Sequence, residues 1–243
     1  MSTAQRPLFE RGAAAPEFGV RSSRRARRLT VRVYPGGRVE VTVPDGTGAR
    51  AVQRFVNRHR DWIAARVHEF RNHALPRQAP LPVSVWLQAL AESWEIVYLP
   101  RARPGFRVPL AGRVEIGGDP SDLARVREAL RAWLLTQARR ALAPWLQRVA
   151  GGCGFGFQRL QLRRQRTRWG SCSRAGTISL NMCLLFQPAP VVRYLMVHEL
   201  CHTRHLNHSP KFWQLVAAHE PEWRRLDREL LRGWRHVPDW VYA

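Results

Sequence analysis

Two histidines four residues apart, His198 and His202, with Glu199 directly after the first, can work as one unit only on an α-helix. There the i and i+4 side chains face the same way, so both imidazoles reach one ion. Glu199 lies about 100° around the axis and can address a water at that ion. The surrounding residues predict that helix: Val192, Leu195, Met196 and Leu200 supply an apolar surface, and Pro188 and Pro190 mark an entry, so it is expected from about 190 to 206. His208 follows His202 after Asn207, a residue that ends helices, and precedes Ser209-Pro210, which can open another. The chain can therefore turn back and bring a third imidazole to the same ion. Three imidazoles and one open water position are the pattern of a catalytic zinc site, so the expected cofactor is one divalent metal ion, zinc before others. Glu199 is the expected general base. His205 falls between His202 and His208 and is expected beside the substrate, because a fourth histidine on the ion would displace the reactive water.

The rest of the chain reads as an α+β protein. Leu29, Val31 and Val33 alternate with polar residues, Pro35-Gly36-Gly37 makes a turn, and Val39, Val41 and Val43 resume the alternation, which predicts a β-hairpin. Val52, Phe55, Val56, Trp62, Ile63 and Val67 then predict a helix over about 49–73 to cover it. Short strands are expected around 83–87, 94–99 and 113–116, with a loop holding Pro100, Pro104, Gly105 and Pro109 between the last two. A long helix over about 121–148 follows, with Pro144 expected to bend or divide it. Strands are expected at Leu160–Leu162 and Thr177–Asn181, with a turn at Trp169-Gly170-Ser171-Cys172 between them. Three regions result: a disordered basic segment over 1–27, an α+β region over 28–120 and the metal-binding region over 121–243.

Composition narrows the class. Residues in the proportions of 45% hydrophobic and 24% charged exclude a disordered chain. No apolar run suits a signal peptide or a membrane span, so a cytoplasmic protein with no membrane partner, acting as a monomer, is expected. Cys153, Cys172, Cys183 and Cys201 have neither C-x-x-C spacing nor the density of a disulfide framework, so free thiols are expected. The formal charge of +22 comes almost wholly from arginine, Lys211 being the only lysine. That charge allows nonspecific affinity for nucleic acid, but no zinc-finger, helix-turn-helix or RNA-binding signature accompanies it.

The block Arg168-Trp169-Gly170-Ser171-Cys172-Ser173, then Ile178-Ser179-Leu180-Asn181, Val197 to His202, Asn207-His208 and Phe212-Trp213 closely resembles the YgjP-like (DUF45) family of metal-dependent hydrolases, related in outline to SprT-like and other zincin metallopeptidases. The resemblance implies His198, His202 and His208 as metal ligands, Glu199 as catalytic, and a zincin-like core with a small antiparallel or mixed sheet beside the active-site helix. The ligand spacing also equals that of metzincins, but position 205 is His where they have Gly. The methionines, Met1, Met182 and Met196, all precede the third histidine, so no Met-turn follows.

Arg159, Arg163, Arg164, Arg166, Arg168 and Arg174 approach the motif with no acidic residue among them. Arg166 and Arg168, with Trp169, Ser171 and Asn181, are the expected substrate-binding wall, and the 177–181 strand is expected to align an extended peptide by backbone pairing. The leading expectation is metallopeptidase-like cleavage of a peptide or protein. A metal-dependent nucleotide phosphohydrolase, its phosphates held by the arginines, is the enzymatic alternative; a nucleic-acid-binding protein with a structural metal site is the non-enzymatic one.

Overall fold

The computed structural model describes residues 17–34, 37–71, 81–100 and 102–242. Two compact units divide the chain, Met1–Ala74 and Leu75–Ala243.

In the first unit, strand β1 (Phe18–Ser23) pairs parallel with β3 (Val39–Pro44), which pairs antiparallel with β2 (Thr30–Val33). The β2–β3 hairpin is the one expected from the valine alternation; Pro35 and Gly36 of its turn lie outside the described residues. Strand β1 falls inside the segment expected to be disordered. Most of its side chains are exposed, so no apolar alternation announces it; backbone pairing to β3 makes it a strand. Helices α1 (Ala49–Arg58) and α2 (Arg60–Arg71) divide the predicted 49–73 helix at His59. Val33, Val39, Val41 and Val43 of the hairpin are buried, as are Val52, Val56, Ile63 and Val67 of the helices.

The second unit holds two sheets. Strands β4 (Ser84–Leu87), β5 (Glu92–Leu99), β6 (Gly105–Leu110) and β7 (Arg113–Gly117) form a mixed sheet in the order β4-β5-β7-β6. β6 was expected to be a loop because of its prolines. It is an outer strand, and Pro109 falls where its register against β7 shifts, a position that needs no ladder N–H. The long helix α3 (Leu123–Gly152) starts at Asp122, whose carboxylate accepts from the Arg125 amide at 3.2 Å. Pro144 neither divides nor ends it; the fully buried Leu142 and Leu146 anchor the helix on both sides of the proline.

Val126, Leu130, Trp133 and Leu134 of α3 share one core with Trp94, Ile96, Val114 and Ile116 of the sheet, Trp133 meeting Trp94 edge-on at 5.5 Å. That shared core holds the strands of residues 84–117 and α3 together in the unit Leu75–Ala243. The same core continues into the second sheet, β8 (Arg159–Arg163), β9 (Gly170–Cys172) and β10 (Thr177–Asn181), ordered β8-β10-β9. β10 is central, parallel to β8 and antiparallel to β9. Helix α4 (Ala189–Cys201) lies against β9 and is followed by α5 (Pro210–His219) and α6 (Trp223–Arg232). No helix among the described residues is long and apolar enough to cross a membrane.

Candidate metal centre

α4 is the most deeply buried helix of the second unit, with Val191, Val192, Leu195, Met196, Val197 and Leu200 all in the core. Each such aliphatic side chain stabilises its placement by about 1.5–3 kcal/mol. The helix is therefore a rigid mount for the side chains on its remaining face. It ends at Cys201, earlier than expected: the His205 amide donates to the Cys201 carbonyl at 3.0 Å and the Thr203 hydroxyl to the Leu200 carbonyl at 2.7 Å, closing the last turn. This early stop leaves 202–209 free to carry His208 back over the helix end.

The three histidines converge. His208 Nε2 lies 3.1 Å from His198 Nε2 and 3.2 Å from His202 Nε2, and one ring nitrogen of each lies within 4.8 Å of those of the others. A tetrahedral ion about 2.0–2.1 Å from each imidazole separates its ligand nitrogens by about 3.3–3.4 Å. The donor set thus fits a divalent metal within a few tenths of an ångström. His202 Nδ1 donates to the His205 carbonyl at 2.9 Å, which leaves His202 Nε2 with a bare lone pair facing its neighbours. His205 therefore serves through its backbone, and its ring is not among the converging donors.

Burial first, and then mutual repulsion, pushes the His198 imidazole down to about 3; burial also lowers His202 and His208. The neutral imidazole is the form that binds a metal. Two aromatic residues brace the cluster: Phe212, fully buried, stacks on His202 at 4.4 Å, and Trp213 stacks on the exposed His208 at 5.5 Å. Trp213 stacks in turn on Trp223 at 4.2 Å, which ties the loop-borne ligand to α6.

Glu199 is buried, and one of its oxygens, Oε2, has no hydrogen-bond partner. Burial pushes its carboxyl up to about 8, offset in part by the Arg168 guanidinium. Any side chain at position 170 would displace it: a Cβ on Gly170 would stand 2.6 Å from Glu199 Oε1 and 2.9 Å from Cγ. The Trp-Gly pair in the sequence block thereby acquires a physical cause. Trp169 is buried and stacks on Trp234 at 4.1 Å, making it a packing wedge, and Gly170 leaves the space the carboxylate occupies.

The expected substrate wall is only partly at the site. Arg168 is exposed and its charge reaches Glu199. Ser171 sits mid-β9, in register with Ser179. Asn181, by contrast, is fully buried: its amide donates to the carbonyls of Gln165 and Arg168 at 2.7 and 3.0 Å, and its oxygen accepts from the Cys183 amide at 3.1 Å. It organises the 165–168 turn and faces no solvent. Arg166 donates to the Tyr242 carbonyl at 2.8 Å and lies over that ring, while Arg164 donates to the Val241 carbonyl at 3.0 Å. Strand β8 ends at Arg163, so Arg164, Arg166 and Arg168 lie beyond it and share no strand face. Nor can β10 align a substrate, since both its edges carry strands.

Three residues of the site were missed. Cys172 lies close enough to Glu199 for burial and that charge to raise its thiol to about 11. Tyr194, one turn before His198 on α4, places its hydroxyl 3.4 Å from His198 Nδ1 and 2.8 Å from Asp227 Oδ1. The i, i+4 spacing of Tyr194 and His198 was visible in the sequence; nothing local pointed to Asp227 on another helix. All four cysteines are free thiols.

A helix-borne histidine pair, a third histidine returned by a loop and a buried glutamate beside them define a metal-dependent hydrolase of the metallopeptidase type. A family model described as the YgjP-like metallopeptidase domain matches residues 27–232, and the chain belongs to that family. Among solved structures it is similar to the metallopeptidase zymogen of Pyrococcus abyssi abylysin, with 26% identity, 34% of this chain and 86% of the other covered, and a TM-score of 0.31. No curated protein matches.

Proposed function

We propose that this protein is a zinc-dependent peptidase of zincin type, with His198, His202 and His208 as ligands and Glu199 as the general base. The convergence of three Nε2 atoms at separations of 3.1 and 3.2 Å carries the reading. His198, His202 and His208 would hold the zinc ion, which would supply Lewis acidity toward water and toward the scissile carbonyl. Glu199 accepts the proton of the attacking water and returns it to the departing amine. Its burial and unpartnered Oε2 suit a group that must exchange a proton without a fixed partner. Arg168 supplies positive charge at the same rim.

An extended peptide is the substrate class we favour. Strand β9 has no second strand partner among the described residues, and its first residue, Gly170, lies against Glu199. A substrate strand pairing along that edge would pass the carboxylate, the role expected earlier of β10. The phosphate reading loses support because Arg164 and Arg166 already hold backbone carbonyls. The test is metal-dependent turnover of a mixed panel of unstructured peptides and nucleoside triphosphates, with Glu199→Gln as the blank. Peptide fragments alone are expected; orthophosphate or pyrophosphate alone would replace the peptidase assignment with a nucleotide phosphohydrolase.

A further inference from the structure

Behind His198 runs a hydrogen-bonded chain that reaches a different helix. Tyr194 is fully buried, and its hydroxyl stands 2.8 Å from Asp227 Oδ1 and 3.4 Å from His198 Nδ1. A phenol has one proton and a carboxylate only accepts. The shorter contact takes that proton, so the hydroxyl turns a lone pair toward His198, and Nδ1 must be the donor there. An imidazole protonated on Nδ1 presents its lone pair at Nε2, the atom that faces His208 at 3.1 Å.

We propose that Asp227, acting through Tyr194, is a positioning residue that holds His198 in its metal-binding tautomer and so sets the affinity of the centre for zinc. The proposal rests on the reading of His198, His202 and His208 as ligands. Helix α6 is well placed for the task. Leu226 and Leu230 bury one face of it, Asp227 at the side of that face accepts from Tyr194, and Trp223 stacks on Trp213, which stacks on His208. One helix thus supports two of the three ligands, one by hydrogen bonds and one by an aromatic stack. The Asp227 charge also reaches His208, which favours a cation at the centre. Removing the carboxylate leaves the phenol proton free to turn toward His198 Nδ1, which would move the imidazole proton to Nε2 and block the metal-binding lone pair.

The experiment measures zinc dissociation constants by competition with a chromophoric chelator for the full chain and for Tyr194→Phe, Asp227→Ala, Asp227→Glu and the Tyr194→Phe/Asp227→Ala double variant. Thermal midpoints of the metal-free proteins are measured alongside. Outer-shell partners of ligating histidines typically contribute 10–100-fold in metal affinity. We expect Asp227→Ala to weaken zinc binding by about that factor, the double variant to lose no more than the larger single loss, and Asp227→Glu to recover part of it. Tyr194→Phe keeps the ring that packs the core and loses one hydrogen bond, so its metal-free midpoint should fall by only a few degrees, about 2–8 °C, while its zinc affinity falls. Zinc affinities of Asp227→Ala and Tyr194→Phe within twofold of the parent would overturn the proposal, as would independent, additive losses. His198→Ala separates this outcome from failure of the site itself. If it abolishes tight binding while the other variants do not weaken it, only the positioning role falls; if it too leaves affinity unchanged, the ligand assignment falls.

Discussion

Replacing Gly170 with alanine tests whether the position of Glu199 depends on the absence of one methyl group. The added Cβ would stand 2.6 Å from Glu199 Oε1, 2.9 Å from Cγ and 3.0 Å from Cδ, so restoring the ordinary 3.4 Å to the oxygen requires the carboxylate to withdraw by about 0.8 Å. Glu199 is buried on a helix packed on all other sides, so backbone relief is small and the side chain must rotate. A misplacement of about 1 Å in a proton-transferring group costs on the order of 10²-fold in rate, and overpacking of this kind destabilises by about 1–3 kcal/mol. The three atoms nearest that methyl all belong to Glu199 and none to an imidazole, so the metal should stay. The assay is metal content by elemental analysis together with turnover of unstructured peptides. The expected result is one zinc per chain with kcat reduced about 100-fold and KM little changed. Parental turnover in Gly170→Ala would refute the claim that this glycine makes room for the catalytic carboxylate.

In the metal-free protein the unfolded chain binds a proton at His198 near pH 6.5, whereas the folded chain, with this imidazole held down to about 3, does not. This proton's contribution is therefore full above about pH 6.5 and falls as the pH drops below it, by about 1.4 kcal/mol per pH unit; Glu199, held up to about 8, contributes with the opposite sign over the same interval, so urea midpoints at pH 7.5 and 5.5 are compared in Glu199→Gln, where a midpoint that rises on acidification contradicts the His198 contribution. Asn181→Ala leaves two part-buried carbonyls and one buried amide without their partner, so a loss of about 2–4 kcal/mol is expected by denaturant unfolding; a change under about 0.5 kcal/mol would return Asn181 to the candidates for substrate contact. Arg166→Ala should destabilise by about 1 kcal/mol and leave KM unaltered, because this guanidinium holds the Tyr242 carbonyl. Arg168→Ala should lower kcat/KM with little effect on stability, its charge being exposed and directed at Glu199. Steady-state kinetics on the two variants separates the roles, and the reverse pattern would interchange them.

The helix of the histidine motif was readable because its ligands and its apolar face share one local period. His208 was readable because Asn207 and Ser209-Pro210 are local stop and start signals. The valine hairpin was readable for the same reason, whereas β1 was not, since a strand with mostly exposed side chains leaves no alternation. β6 was hidden by prolines that an outer strand tolerates and a central one does not. The misplaced parts of the site share another cause. Whether Asn181 and Arg166 face substrate or backbone depends on which carbonyls arrive beside them, and those of Gln165 and Tyr242 come from other segments. Asp227 escaped notice because its partner Tyr194 lies 33 residues earlier on a different helix. Local periodicity specifies which face a residue occupies; the hydrogen-bond partner at that face is set by tertiary packing.

The central claim is that three imidazoles, and no sulfur, hold one zinc ion. X-ray absorption at the zinc edge on the protein loaded with one equivalent tests it most directly, because Zn–N and Zn–S shells are resolved at about 2.0–2.1 and 2.3 Å. The expected spectrum fits three imidazole nitrogens plus a light-atom ligand with no sulfur shell, and His208→Ala removes one imidazole from it. A shell at about 2.3 Å, from Cys172 or Cys201, or an imidazole count unchanged in His208→Ala, would contradict the account.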